Sequence, residues 1–294
     1  MTLSLPDRIL GCLLGGALGD AIGAHYEGDP PPESYTMPTD LQVTDDTQLT
    51  LATCEAIVAV GEVEPASIAA SFLQWFRSRR LNGLGSSTLK ALIELDAGGH
   101  WALVGATGER SAGNGAAMRI APLAFFLDPE LDADRQTLRD VCRITHRNDE
   151  AYCGALAIVS TLHHVLSGGR LDEAVWPMLA GSLPDSRVRD RVLTFLPGAM
   201  TVAEYAVRFG ASGYVVDSAP LAILAATQAT SLEQAFEQLV RCGGDTDTNA
   251  SLLGQLYGAA NGEGGLPPAG VARIDAVEQV RQTAASLARV AAAE

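Results

Sequence analysis

The chain has 294 residues, 47% of them hydrophobic, and its 35 acidic and 20 basic residues give a net charge of −15. A chain of this length can bury enough apolar surface to fold as one large domain. The negative charge argues against a nucleic-acid duplex or an anionic membrane as partner, because both need a basic protein surface.

The lack of linker and signal-peptide features and the scattered cysteines predict a single cytoplasmic domain. No proline-, serine- or glycine-rich linker divides the chain, so the sequence predicts one domain over residues 1–294. The apolar run 9–18 is too short to span a bilayer and lacks the basic leader and cleavage site of a signal peptide. The five cysteines are scattered and form no C-x-x-C pair, so we expect buried thiols rather than disulfides.

The first predicted helix carries a stripe of glycines. Four glycines recur at every fourth position and therefore share one helix face: Gly11, Gly15, Gly19 and Gly23. Glycine costs a helix interior about 1 kcal/mol per residue, so the stripe predicts close packing against another helix. It does not resemble a dinucleotide-binding fingerprint, because no strand precedes it and the glycine spacing differs.

Apolar repeats at helical spacing dominate the rest of the chain. The helix that begins at Asp149 is stopped by Gly168-Gly169. Similar patterns cover, approximately, residues 46–60, 65–79, 135–147, 217–229, 231–240, 247–260 and 270–292. The β-branched run 213–216 is the only strand signal, and it is isolated. The sequence therefore predicts an all-α, compact helical bundle.

Acidic residues cluster at three helix ends. Asp20 and Glu27 lie at and just beyond the end of the glycine-striped helix. The segments 44–47 (Thr-Asp-Asp-Thr) and 245–248 (Asp-Thr-Asp-Thr) each precede a long apolar helix. Helix capping would explain either segment by itself, but a cap needs one side chain and each segment offers two carboxylates and two hydroxyls. The excess of carboxylates predicts a bound cation.

The side chains in these segments restrict which cation could bind. Oxygen-only ligand sets select Mg²⁺, Mn²⁺ or Ca²⁺. The five histidines and five cysteines show no zinc-binding spacing. An EF-hand is excluded at 245–256, because Ala250 stands at the glycine position and Leu256 at the position of the bidentate glutamate. Two aspartate pairs from distant parts of the chain could instead form a two-metal centre.

Two glycine-rich loops and one histidine are candidate ligand-binding elements. The small residues of segment 111–119, with a helix predicted to begin at about Gly115, suit a bound phosphate. A plain turn before a helix would give the same pattern, and segment 82–88 is a similar loop. His146 lies at a predicted helix end, where a capping or core hydrogen-bonding role is the alternative to ligand binding.

Taken together and in chain order, these motifs resemble the ADP-ribosylglycohydrolase family. The resemblance rests on six segments between about residues 8 and 262: the glycines and acids of 15–27, Thr-Asp-Asp-Thr at 44–47, Gly-Asn-Gly-Ala-Ala-Met-Arg at 113–119, Thr-His at 145–146, Ser-Gly-Tyr-Val-Val-Asp at 212–217 and Gly-Gly-Asp-Thr-Asp-Thr at 243–248. The family includes an enzyme that removes ADP-ribose from an arginine of dinitrogenase reductase. The resemblance implies an all-α fold and a centre with two Mg²⁺ (or Mn²⁺) ions.

The resemblance also implies roles for individual residues. The implied metal ligands are Thr44, Asp45, Asp46, Asp245, Asp247 and Thr248. The implied substrate-binding residues are Ser111, Gly113, Asn114, Gly115 and His146, with Tyr214 near the adenine. Glu27 would lie near the scissile bond, either as the acid for the leaving group or as a gate. Asp45 or Asp46 would be the base for the attacking water.

The implied function is metal-dependent hydrolysis of the glycosidic bond between ADP-ribose and an acceptor, with arginine side chains of proteins as the first expectation. The partner would be an ADP-ribosylated protein or a small-molecule conjugate of ADP-ribose, and we expect a monomer. The alternatives are a non-catalytic ADP-ribose-binding protein and a hydrolase acting on another ADP-ribose derivative. The proline-rich loop 28–43 and the segment 82–110 depart from the family pattern and are expected to border the cleft entrance.

Overall fold

Within residues 3–196 and 200–293, which this computed structural model describes, the chain forms fifteen α-helices and four 3-10 helices. The α-helices are α1 (Leu5–Ala24), α2 (Asp45–Val60), α3 (Pro65–Arg77), α4 (Ser86–Asp96), α5 (Trp101–Val104), α6 (Asp132–Arg143), α7 (Asp149–Leu166), α8 (Val175–Ser182), α9 (Arg187–Leu193), α10 (Val202–Phe209), α11 (Val215–Gln228), α12 (Leu232–Val240), α13 (Thr246–Asn261), α14 (Pro268–Val271) and α15 (Val277–Ala291). The 3-10 helices are Glu109–Ser111, Asn114–Ala116, Ala121–Phe125 and Glu263–Gly265. The same residues contain no β-strand, only isolated bridges, and the prediction of an all-α single-domain bundle is confirmed.

α1 and α13 are largely buried and pack antiparallel with their backbones in contact. A methyl group added to each glycine of the stripe would lie only 2.0 to 2.3 Å from a carbonyl oxygen of α13; the pairs are Gly11 with Gly258, Gly15 with Gly254, Gly19 with Ala250 and Gly23 with Thr246. Gly254 and Gly258 are equally restricted, because a methyl group there would lie 1.9 Å from an oxygen of α1. The prediction that the stripe is a packing surface is confirmed.

Most predicted helices are found within a few residues of their expected ends, but the one predicted at 270–292 is broken in two. Its N-terminal part is the single turn α14, and the remainder is α15. Between them, the backbone N–H of Asp275 donates to the Leu41 carbonyl at 3.0 Å, and the Asp275 carboxylate accepts from the Val43 N–H at 3.2 Å. These bonds with the segment before α2 replace those that a continuous helix would make.

The helix predicted to begin at about Gly115 is not present. The chain forms the 3-10 helices Asn114–Ala116 and Ala121–Phe125 instead. In a continuous α-helix the ring of Pro122 would clash with the carbonyl of Met118, four residues earlier. That carbonyl accepts a hydrogen bond from Gln255 Nε2 of α13 at 2.7 Å. The prediction was therefore wrong, and the segment runs as irregular backbone.

The cysteines are free thiols, as the sequence predicts. Cys12, Cys54, Cys142 and Cys153 are buried among apolar side chains, and Cys242 is half-buried. Among the helices of the described ranges, none combines the length and hydropathy that crossing a bilayer requires.

Candidate metal centre and ligand cleft

Asp20, near the end of α1, holds the first turn of α2. Its fully buried carboxylate accepts hydrogen bonds from the N–H and hydroxyl of Thr44 at 2.9 and 2.7 Å, and from the same groups of Thr47 at 3.1 and 2.5 Å. These bonds satisfy the start of α2 in the way that an N-cap residue would. The carboxylates of Asp45 and Asp46 are therefore not needed as caps, which removes the capping explanation for segment 44–47.

The α1–α13 contact brings the second acidic segment to the same place. Thr246 Oγ1 donates to the carbonyl of Gly23 at 2.7 Å and fixes the start of α13 against the end of α1. Thr248 Oγ1 then donates to Asp46 Oδ2 at 3.2 Å. Segments 44–47 and 245–248, which lie about 200 residues apart in sequence, therefore meet.

A cavity of about 220 Å³ opens over these carboxylates. Ten residues that the sequence singled out line it: Glu27, Asp45, Asp46, Gly113, Asn114, Gly115, His146, Asp245, Asp247 and Thr248. The lining also includes seven residues not assigned to the site from sequence: Gly83, Gly85, Ser86, Ser87, Thr88, Arg110 and Met118. The 82–88 loop was identified in the sequence by its small residues, whereas Arg110 lies in the segment 82–110 expected near the cleft entrance but was not singled out.

Three residues assigned to the site from sequence do not line the cavity. The hydroxyl of Thr44 donates to Asp20. The buried hydroxyl of Ser111 donates to the carbonyl of Gly108 at 2.6 Å and orders the loop before Gly113. The hydroxyl of Tyr214 accepts from Arg187 Nη1 at 3.2 Å. Tyr214 nevertheless adjoins the cleft, because its backbone forms an isolated bridge with Gly113.

The floor of the cleft concentrates negative charge. Burial first and repulsion from Asp247 second raise the pKa of Asp46 and Asp245 well above the usual carboxyl range. The pKa of Asp45 rises to about 7, through burial and then through the charges of Asp20 and Asp247. The carboxylates therefore destabilise one another unless protons or cations neutralise them.

The donor set fits a hard divalent cation. Glu27, Asp245 and Asp247 each offer a carboxylate oxygen, and these oxygens lie within 4.8 Å of one another. The buried Oδ1 of Asp46 receives no hydrogen bond from any residue in the described ranges. Leaving such an oxygen unsatisfied is costly, and a cation would both satisfy it and remove the repulsion. Oxygen ligands of this kind suit Mg²⁺, Mn²⁺ or Ca²⁺.

The glycine loop lies against His146 and is joined to the carboxylates. A methyl group on Gly115 would lie 2.8 Å from Cε1 of His146, and one on Gly113 would lie 3.3 Å from Nε2. At Gly115 only glycine lets the backbone come so near the buried imidazole, and at Gly113 a side chain would be tightly packed. Asn114 Nδ2 donates to Asp245 Oδ2 at 2.5 Å, which links the loop to the acidic floor.

Comparison with known proteins identifies the family of the chain. A family model described as ADP-ribosylglycohydrolase matches residues 1–294. The chain is 29% identical over 301 residues to "ADP-ribosylarginine hydrolase Tri1" of Pseudomonas putida (strain GB-1), a match that covers 96% of this chain and 78% of that protein. It is 28% identical over 289 residues to "ADP-ribosyl-[dinitrogen reductase] glycohydrolase" of Rhodospirillum rubrum, with 92% of each covered.

A solved structure gives the same result for the fold. The chain is similar to an "ADP-ribosylglycohydrolase-related protein complex" with a TM-score of 0.80 and 28% sequence identity. The match covers 97% of this chain and 98% of that one. The resemblance drawn from the six sequence segments is thus confirmed: the chain belongs to the ADP-ribosylglycohydrolase family of glycosidic-bond hydrolases.

Proposed function

We propose that this protein removes mono-ADP-ribose from arginine side chains of proteins by metal-dependent hydrolysis of the glycosidic bond. The observation that carries the proposal is the meeting of two acidic helix starts under a cleft walled by a glycine loop and His146. Two similar proteins have names that describe removal of ADP-ribose, one of them from arginine. Small-molecule conjugates of ADP-ribose are the alternative class of substrate.

The carboxylates of Asp45, Asp46, Asp245 and Asp247, with the hydroxyls of Thr44 and Thr248, would hold two Mg²⁺ or Mn²⁺ ions. The unsatisfied Oδ1 of Asp46 and the repulsion within the cluster support this assignment. Thr44 donates its hydroxyl hydrogen to Asp20, so its oxygen keeps lone pairs for a ligand role. When bound, such ions polarise substrate oxygens and lower the pKa of coordinated water.

The glycine loop and its neighbours would hold the diphosphate and the adenosine. The small residues Gly113 and Gly115 let phosphate oxygens approach the backbone of the loop, and His146 adds a side-chain donor. The N–H of Asn114 donates to the Gly213 carbonyl at 3.0 Å, so Asn114 would contribute by shaping the loop. Ligand sites for drug-sized molecules occupy about 300–1,000 Å³, so the cavity of about 220 Å³ encloses only part of an ADP-ribose. The adenosine therefore extends past Gly113 towards Tyr214.

The reaction needs a base for the attacking water and an acid for the leaving nitrogen. Asp45 or Asp46 takes a proton from the water while the water oxygen bonds to the anomeric carbon. The transition state resembles an oxocarbenium ion. Glu27 lies at the exposed edge of the cluster, and burial followed by the charge of Asp247 raises its pKa. We assign Glu27 the delivery of a proton to the arginine nitrogen as the glycosidic bond breaks.

The test is a panel of peptides carrying mono-ADP-ribose on arginine or on serine, each incubated with Mg²⁺ and separately with EDTA. Mass spectrometry should detect free ADP-ribose from the arginine peptides with Mg²⁺ and none with EDTA. Release from serine peptides alone would overturn the arginine assignment. ADP-ribose bound without any release would make the protein a binding module, and release of phosphate would indicate a different hydrolase. Activity restored only by Zn²⁺ would contradict the oxygen ligand set.

A further inference from the structure

Arg119 is fully buried, yet no carboxylate pairs with it in the parts of the chain that the structure describes. Its guanidinium lies 4.6 Å from the ring centre of Phe72, and its Nη2 donates to Thr145 Oγ1 at 2.8 Å and to the Val141 carbonyl at 3.4 Å. Burial lowers the pKa of Arg119 only to about 10, so the side chain stays cationic at neutral pH. An unpaired buried cation is costly, and packing alone gives no reason for it.

Thr145 connects Arg119 to the ligand cleft. Its buried hydroxyl oxygen lies 2.8 Å from Arg119 Nη2 and 2.8 Å from His146 Nδ1. A guanidinium can only donate, so the Thr145 oxygen accepts from Arg119. Among the described residues, no other acceptor lies within hydrogen-bonding distance of this hydroxyl, so its hydrogen points to His146 Nδ1. Nδ1 is therefore an acceptor, and the ring hydrogen is on Nε2.

The Nε2 edge of His146 faces the glycine loop. A methyl group on Gly113 would lie 3.3 Å from Nε2, and one on Gly115 would lie 2.8 Å from Cε1 and 3.3 Å from Nε2, so the Cε1–Nε2 edge of the ring faces the loop. His146 also lines the cavity. Burial and then the charge of Arg119 lower the pKa of His146 to about 3, so the ring is neutral. The cleft thus receives one uncharged N–H donor beside the backbone of the loop.

We propose that Arg119 and Thr145 are positioning residues that lock His146 as the Nε2–H tautomer and aim this N–H at an anionic oxygen of the ligand. That the oxygen belongs to the diphosphate of ADP-ribose rests on the proposed function, whereas the tautomer does not. With the hydrogen on Nδ1, the Nε2 lone pair would face the phosphate and repel it. Thr145→Val removes the hydroxyl at nearly constant shape, and Thr145→Ser keeps it.

The tautomer is tested by nitrogen NMR of the ¹⁵N-labelled full chain, with the His146 signals assigned from their loss in His146→Gln. The unaltered protein should show a pyridine-type Nδ1 and a pyrrole-type Nε2 for His146. Thr145→Ser should keep this pattern, and Thr145→Val should shift both signals towards a mixture of tautomers. A hydrogen on Nδ1 in the unaltered protein, or an unchanged spectrum in Thr145→Val, would overturn the proposal.

Its consequence for the ligand is tested by titrating ADP-ribose into the Mg²⁺-loaded variants. A hydrogen bond to a charged group is worth roughly a tenfold change in affinity or more, so Thr145→Val should bind about 10-fold more weakly than Thr145→Ser. KM should rise by a similar factor while kcat changes little. Because Arg119 acts through Thr145, adding Arg119→Met to Thr145→Val should cause no further loss. Equal affinities of the Val and Ser variants, or additive losses in the double variant, would contradict the proposal.

Different results would contradict the proposed function and the locking of the His146 tautomer. If the unaltered protein neither binds nor releases ADP-ribose but His146 shows the Nε2–H tautomer, the proposed function is wrong and the locking of His146 is confirmed. If ADP-ribose is released while His146 carries its hydrogen on Nδ1, the proposed function is supported and the locking of His146 by Thr145 and Arg119 is wrong.

Discussion

The two ends of the α1–α13 pair share the close glycine contact but differ in the charge that they carry. At one end, Gly11 and Gly15 let α1 lie against the backbone of α13 without intervening side chains or charges. At the other end, Asp20 and Asp247 belong to a buried cluster whose carboxylates repel one another. We infer that the glycine contact makes the helix pair rigid. This rigidity holds the mutually repelling carboxylates at fixed positions, where cations can neutralise them.

The largest expected effect comes from the charged end. Asp46→Asn should lower turnover by about a thousandfold, a loss typical of removing one preorganised electrostatic group. The same change should raise the thermal midpoint of the metal-free protein, because it removes a buried carboxyl that must otherwise be protonated or stay charged beside other aspartates. Enzyme kinetics and thermal unfolding in EDTA measure the two effects. The exposed Asp40, changed to Asn, is the control, and full activity of Asp46→Asn would refute the model of the site.

The packed end is tested by Gly15→Ala. The added methyl group would lie 2.2 Å from the Gly254 carbonyl oxygen, so the helices must move apart. We expect a loss of about 3 kcal/mol in the free energy of unfolding, measured with urea. Gly181→Ala near the end of α8 is the matched control, since its methyl group would meet nothing within 4 Å and should stabilise by about 0.4–1 kcal/mol. Equal stability of Gly15→Ala and the unaltered protein would show that the contact is not as tight as described.

Asp20 links the charged end of α1 to the start of α2, and its substitution by Ala or by Asn should affect stability differently. Asp20→Ala leaves the N–H and hydroxyl of Thr47 without their acceptor and should cost about 2 kcal/mol, the upper range for a lost helix cap. Asp20→Asn keeps an oxygen for these donors and should recover most of that loss. Calorimetric titration with Mn²⁺ should show that Asp20→Asn still binds the metal. Loss of metal binding in that variant would mean that Asp20 is itself a ligand.

The smallest expected effect is the pH dependence of stabilisation by Mg²⁺. The pKa of Asp45 is raised to about 7, so between about pH 4 and pH 7 the folded, metal-free protein holds a proton that the unfolded chain has lost. The metal-free protein therefore loses stability as the pH rises through this window. Because Mg²⁺ must displace that proton, it should raise the thermal midpoint by more at pH 8 than at pH 5. An equal rise at both values would contradict the assignment of Asp45.

The sequence predicts what depends on local pattern. Helix spacing and the glycine stripe follow from the positions of neighbouring residues, so α1 and α13 could be recognised. The helix expected at Gly115 is absent because the ring of Pro122 conflicts with the carbonyl of Met118, which the small residues at the start of the segment do not reveal. The contact of Arg119 with His146 through Thr145 could not be predicted, because it depends on how the segment before α7 folds back on the glycine loop.

The contact between the two acidic segments was only partly predictable from the sequence. Nothing in the spacing of 44–47 and 245–248 requires them to be neighbours. Their ligand chemistry allowed a shared two-metal centre, and the family resemblance turned this possibility into an expectation. The structure supplies the physical reason, which is the antiparallel contact that places Gly23 against Thr246. Arg110 lies in the segment 82–110 that was expected to border the cleft, but a lone exposed arginine carries no pattern that would single it out.

The central claim is that the carboxylates at the charged end hold divalent cations. The most direct measurement is an anomalous diffraction map of crystals grown with Mn²⁺. We predict two manganese peaks about 3.5–4 Å apart, bound by Asp45, Asp46, Asp245 and Asp247. An empty cluster at saturating Mn²⁺, or manganese bound only elsewhere on the molecule, would contradict the account.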